Sequence, residues 1–264
     1  MNKKERADTL LARLGLAESR RKAQALIMAG MVYSGEQRIE KPGQLVSPEG
    51  ALSVRGAMPF VSRGGLKLDE ALSVFAVDVR DRVAADLGAS TGGFTDCLLQ
   101  RGARLVYAVD VTVDQLDWRL RRDPRVRTIE KNARDLRPED FGEPPGIVVM
   151  DLSFISVLKV LPAVKGFLGA GRLVSLLKPQ FEAGRGEVGK KGVIRDPARH
   201  EAVLVRLLEG ARALGFGPRR LLKSSTRGQK GNREFFVLWE LAEAAGSPAE
   251  DSALVREVVY EEEN

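Results

Sequence analysis

Apolar residues recur along this chain with two different periods. Over residues 6–14, Leu10, Leu11 and Leu14 fall on one side of a helix, and Gly15 stops it. Over residues 20–29, Ala23, Leu26 and Ile27 repeat at the same spacing, with Ser19 placed as an N-cap and Gly30 as the stop. Short strand-like pieces at 31–33 and 52–54 follow, broken by Gly35, Pro42, Gly43, Pro48 and Gly50. This pattern predicts a small α+β domain over residues 1–54.

After a linker at 55–62, which contains Gly56 and Pro59, the pattern changes. Compact apolar runs at 83–87, 105–110, 126–130, 147–151, 173–177, 219–223 and 235–240 alternate with helical spacings. Alternating β and α predicts an α/β domain over 63–241, with a mostly parallel sheet covered by helices on both faces. Residues 242–264 are rich in Ala and Glu and read as an acidic C-terminal tail, either a short helix or disordered.

Composition narrows the function classes. Hydrophobic residues make up 44% and charged residues 30%, as in a globular protein. The one cysteine, Cys97, excludes an internal disulfide and a cysteine zinc cluster, and it reads as a small buried residue. The one histidine, His200, excludes histidine-pair acid–base chemistry and multi-histidine metal sites. No metal is expected. No apolar run nears the roughly 18–20 residues that span a bilayer, and the first residues are polar, so a cytoplasmic protein without a membrane partner is expected. Net charge is +4 over 1–60, +8 over 61–240 and −6 over 241–264. A basic body of this kind suits a polyanionic partner.

The strongest local motif is Asp86-Leu87-Gly88-Ala89-Ser90-Thr91-Gly92-Gly93-Phe94-Thr95, which follows an apolar strand and opens a helix. Glycines let the backbone approach a ligand, and the helix start supplies free N–H groups. The next strand ends in Asp110, where a carboxylate can hold both hydroxyls of a ribose. The bland alternative is a tight turn without a ligand. The spacing differs from G-x-G-x-x-G, which argues against a nicotinamide site. Asp151 and Lys178 close two further strand candidates, and Glu234 precedes the last one. In a doubly wound sheet, ligands bind outside the carboxyl ends of the strands, so Asp86, Asp110, Asp151 and Lys178 are expected on one edge. Glu234 joins them if its strand runs antiparallel. Lys67, on a helix before the sheet, could pack there too.

With these residues in hand, the catalytic part resembles the Rossmann-like FtsJ (RrmJ) ribosomal RNA 2′-O-methyltransferases. Residues around Arg6, 15–23 and 30–32 resemble the S4 RNA-binding domain. Together they resemble the TlyA family, whose members are described as rRNA cytidine 2′-O-methyltransferases and are often labelled haemolysins. The stretch 55–59 lacks the tryptophan expected in that family. The resemblance implies S-adenosyl-L-methionine as cofactor, held by Asp86, residues 88–94, Asp110 and Asp151. It implies a catalytic tetrad of Lys67, Asp151, Lys178 and Glu234. Lys178 would be the base, Asp151 and Glu234 would orient it, and Lys67 would tune it or touch RNA. Lysine takes a proton only when neutral; a charged Lys178 that stabilises the developing oxyanion is the alternative.

Ribosomal RNA or a ribosomal subunit is the implied partner. Lys3, Lys4, Arg6, Arg20, Arg21 and Lys22 are the candidate RNA contacts, although any one of them alone reads equally as a solvated helix face. The basic runs 185–191 and 227–233 flank the pocket and could hold the substrate strand. Two rival readings stand beside this one. One is an RNA-binding assembly factor with a non-catalytic methyltransferase fold. The other is a haemolysin, which the lack of spanning segments disfavours.

Overall fold

The computed structural model describes residues 4–35, 37–48, 52–54, 56, 58–184, 188–189, 192–241 and 247–261. Lys3, most of the basic run 185–191, and Arg55 and Ala57 of the linker lie outside the described residues. The chain divides into two compact units, Met1–Pro59 and Phe60–Asn264.

The first unit contains β1 (Glu5–Arg6), α1 (Ala7–Arg13), α2 (Arg20–Met28), β2 (Val32–Ser34), β3 (Gln37–Arg38), β4 (Leu45–Val46) and β5 (Leu52–Val54). Strands β3, β2 and β5 form one antiparallel sheet, and β1 pairs with β4. Ser19 caps α2, its hydroxyl accepting from Lys22 N at 3.2 Å. Leu10, Leu11, Ala23, Ile27, Val32 and Ile39 fill the small core. Asp8 sits fully buried beneath this surface and gathers Arg6, Arg20 and Gln24 at 2.9–3.0 Å. These partners, Arg6 first, hold its carboxyl well below the usual carboxylate range.

The second unit begins with α3 (Arg63–Val74). It continues through β6 (Val83–Leu87), α4 (Gly93–Gln100), β7 (Leu105–Asp110), α5 (Trp118–Arg122), β8 (Val126–Glu130), β9 (Ile147–Met150), α6 (Leu161–Leu168) and β10 (Arg172–Leu177). It ends with α7 (Pro179–Glu182), α8 (Pro197–Ala213), β11 (Phe216–Lys223), β12 (Phe235–Leu241) and α9 (Pro248–Tyr260). The seven strands lie in the order β11-β12-β10-β9-β6-β7-β8. All neighbours from β10 to β8 are parallel, and β12 alone runs against them.

The strands read as continuous apolar runs because both faces are covered. Val83, Ala85 and Leu87 pack on one side with α6, α8 and α9, while Ala84 faces the layer of α3, α4 and α5. Trp239, fully buried in the reversed strand, donates its indole N–H to Ser175 Oγ at 2.6 Å. Within the stretch read as an acidic tail, 248–260 forms α9. It buries Val255, Val258 and Val259 and pairs Asp251 with Arg212 at 2.6 Å. The alternation of apolar and acidic residues there is a helix period, which composition alone conceals.

Candidate active site

The order in which strands are added switches sides between the parallel neighbours β6 and β9: β7 and β8 build outward on one side, β10 on the other. Ligands of such sheets bind at this switch point. Gly88 follows β6 there with φ +87, and a Cβ on it would stand 2.5 Å from the Asp151 carbonyl oxygen. Only glycine combines that dihedral with that approach. Asp151 N donates to Leu87 O at 3.0 Å, so the two strand ends are stitched together.

A cleft of about 640 Å³ opens at this point, bounded by Gly88, Ser90 and residues 109–112, 131–134 and 151–155. Asp110 accepts from Ser90 N at 2.8 Å, which aims its carboxylate into the cleft while other lone pairs stay available. A second pocket of about 150 Å³ lies between the same turn and α3, lined by Ser62, Gly64, Lys67, Phe94 and Asp151 among others. Gly88, Ser90 and Asp151 belong to both walls, so the two spaces meet at them.

The proposed tetrad forms two ion pairs around this junction. Lys178, directly after β10, lies 2.5 Å from Asp151 and donates to Ser153 Oγ at 3.1 Å. Lys67 on α3 lies 2.5 Å from Glu234, and these side chains are 12% and 3% exposed. Glu234 reaches this edge because β12 is antiparallel and therefore starts where β10 ends. Glycine at 228 makes room for it, since a Cβ there would meet Glu234 Oε1 at 1.9 Å. Both carboxylates were expected to orient Lys178; Asp151 lies against it, and Glu234 pairs with Lys67.

Among the residues assigned to the cofactor, Gly88, Ser90, Asp110 and Asp151 line the large cleft. Ala89, Thr91, Gly93 and Phe94 line the small pocket. Asp86 and Gly92 line neither. Gly92 (φ +94) gives space to Leu120 of α5. Asp86 is fully buried and accepts from Thr95 Oγ1 at 2.7 Å, tying β6 to α4 beneath the loop.

Burial pushes the Asp86 carboxyl up to about 7. A carboxylate whose folded pKa exceeds its unfolded value binds more protons when folded, so stability falls as pH rises between the two. The melting temperature of the cofactor-free protein should therefore drop relative to Asp86→Asn from about pH 4 to about pH 7 and run parallel to it above. Thermal melts of both proteins across that window check this; parallel curves throughout would refute it.

Sequence reasoning missed Phe154. It is 89% exposed with φ +64, a conformation costing about 1–3 kcal/mol for such a residue. Its ring lies 4.8 Å from Phe181, over which Lys178 Nζ stands at 5.9 Å. The exposed Phe154 against the half-buried Phe181, beside the lysine, offers a stacking surface for a base. The available signal was a bulky aromatic three residues after a strand-end acid.

In the first unit Lys4, Arg21 and Lys22 are exposed. Arg6 and Arg20 are exposed too, but both are tethered to Asp8, so part of their role is internal. Among the described residues no cluster of His, Cys, Asp and Glu could hold a metal ion.

Residues 60–241 match the FtsJ-like methyltransferase family and residues 5–51 match the S4 domain. A Bacillus subtilis protein that bears an rRNA-methyltransferase name, YqxC, is 48% identical over 240 residues, covering 89% of this chain and 85% of that one. The 16S/23S rRNA (cytidine-2′-O)-methyltransferase TlyA of Mycobacterium tuberculosis is 45% identical over 243 residues, 90% of each chain. A solved structure of a hemolysin-named protein from Streptococcus thermophilus shares 41% identity with a TM-score of 0.72, covering 98% of this chain and 96% of that one.

Proposed function

The chain belongs to the FtsJ-like methyltransferase family, and from that premise we propose that it methylates the ribose 2′-hydroxyl of a cytidine in ribosomal RNA. S-adenosyl-L-methionine is the cofactor of this family, and the cleft fits it: its volume is in the range of small-molecule sites, and Asp110 stands where ribose hydroxyls need an acceptor. When bound, the cofactor supplies a methyl group activated by a positive sulfur. The observation that carries the reading is the junction of cleft and pocket at Asp151, with Lys178 held against it.

In-line transfer needs the 2′-oxygen aligned and its proton removed, and alignment supplies much of the rate. The Lys178 amine, once it has itself lost a proton to solvent, sits at the strand end to receive that proton. Asp151 and Ser153 fix the position of its Nζ, and Lys67, paired with Glu234, lines the adjoining pocket. Phe154 and Phe181 hold the base. The S4 unit and its exposed cations contact the RNA.

Asp110→Ala should weaken cofactor binding by about 2–4 kcal/mol, the loss of two charge-assisted hydrogen bonds. Calorimetry on the RNA-free protein measures it, and an unchanged affinity removes Asp110 from the site. The reading as a whole is tested by incubating the protein with ribosomal subunits and labelled cofactor, then mapping the label. Label in 2′-O-methylcytidine is expected. Label on a base overturns the chemistry, and RNA binding without label favours the assembly-factor reading. No helix among the described residues is long and apolar enough to cross a membrane, which leaves the haemolysin reading without a spanning helix.

A further inference from the structure

A third cavity, of about 580 Å³, lies at the same edge of the sheet and plays no part in the site above. Its walls carry five cations: Arg195 before α8, Lys223 at the end of β11, Arg227 and Lys230 in the following loop, and Arg233 before β12. Among the described residues, Glu261 is the one acidic residue that lines it. Phe235 pairs with Leu177 on one side and with Lys223 on the other. Phe235 lines the cavity one strand from Lys178, and Lys223 lies two strands away, about 10 Å along the edge at ordinary strand spacing.

Among the described lining residues positive groups outnumber the acidic one, and Lys223 donates to the backbone carbonyl of Glu261. Burial, then Arg227, lowers the Arg233 guanidinium pKa; burial, then Arg233, lowers that of the Lys223 ammonium. His200, in the first turn of α8 and 4% exposed, lines the same cavity. Its Nε2 has no hydrogen-bond partner among the described residues, although such buried groups are normally satisfied. The cavity is also built. Asn232, 4% exposed, accepts from Ile194 N at 3.2 Å and donates to Gly192 O at 3.0 Å, locking one wall to the loop that delivers Glu234.

We propose that this cavity seats a backbone phosphate and its ribose from the RNA strand flanking the nucleotide that enters the catalytic pocket, an inference that rests on the RNA reading above. The cations meet the phosphate, and a sugar hydroxyl can satisfy His200. Free phosphate shares the chemistry. The strand is favoured because Arg227 and Lys230 are exposed at the rim and the catalytic lysine lies on the same edge.

The test compares wild type with Lys223→Gln/Arg227→Gln, using a ribosomal RNA fragment that the wild type methylates. RNA affinity should fall about tenfold at moderate salt, and the slope of log affinity against log salt should shrink by about 1.4, at roughly 0.7 per lost single-strand contact. Cofactor affinity and melting temperature should hold. Lys230→Gln, at an exposed loop position, should shrink the slope by about half as much and serves if the double variant melts early. An unchanged affinity and slope overturns the proposal. So does competition by inorganic phosphate that the double variant abolishes while RNA affinity is unaltered, which marks a free-anion site. Failure of the wild type to bind or methylate any RNA sinks the functional reading first and this one with it.

Discussion

Lys178→Ala is expected to lower single-turnover methylation by about 10²–10⁴-fold, the usual cost of losing a positioned base. Its melting temperature should stay near that of wild type. Lys178 follows β10 on the ligand edge, and its removal frees Asp151 toward the open cleft without emptying the core. Lys178→Arg separates two mechanisms. Arginine keeps the charge and cannot release its proton. A base at 178 makes arginine nearly as inactive as alanine, whereas an oxyanion stabiliser lets arginine retain substantial activity. Near wild-type turnover by the alanine variant removes this residue from the chemistry.

Glu234→Ala should destabilise the protein by about 3–5 kcal/mol, because it strands the Lys67 ammonium in a nearly closed pocket. The pair itself is another matter. Lys67→Met/Glu234→Leu replaces both charges with apolar groups of similar volume, which is often neutral or stabilising. The double variant should therefore recover most of the lost stability and none of the methylation. Denaturant titration and single-turnover assays on both proteins decide it. Recovery of activity together with stability would make the pair a structural strut only.

The layout of the α/β unit was legible because buried parallel strands must be apolar throughout, and β6, β7 and β8 begin and end where the apolar runs do. β9 stops one residue short of its predicted run, β10 and β12 each run one residue longer, and β11 begins three residues earlier, at buried Phe216. α9 was left open between helix and disorder. Its apolar face has meaning only against α8 and β11, which are remote in sequence. The site residues were legible as strand-end polar groups, but their pairing was not. That Glu234 meets Lys67 depends on the reversed strand and the closed loop at Gly228. The depth of Asp86 was partly readable: it shares parity with Ala84, which points into the helix layer, so a side chain at that position faces Thr95. Nothing local marked Phe154 as exposed, since aromatics after strands usually turn inward.

The ion pair between Lys67 and Glu234 joins positions 167 residues apart in the chain. During synthesis at typical speeds, about 10–30 s separate the two codons. Throughout that interval the helix bearing Lys67 can form, but it cannot be sealed beneath the sheet edge without leaving a charge unmatched. The chemistry is thus withheld from the growing polypeptide until its reversed strand has been threaded between β10 and β11. If its substrate is the ribosomal RNA proposed above, the enzyme would emerge from the ribosome unable to act on it until its last strand is in place.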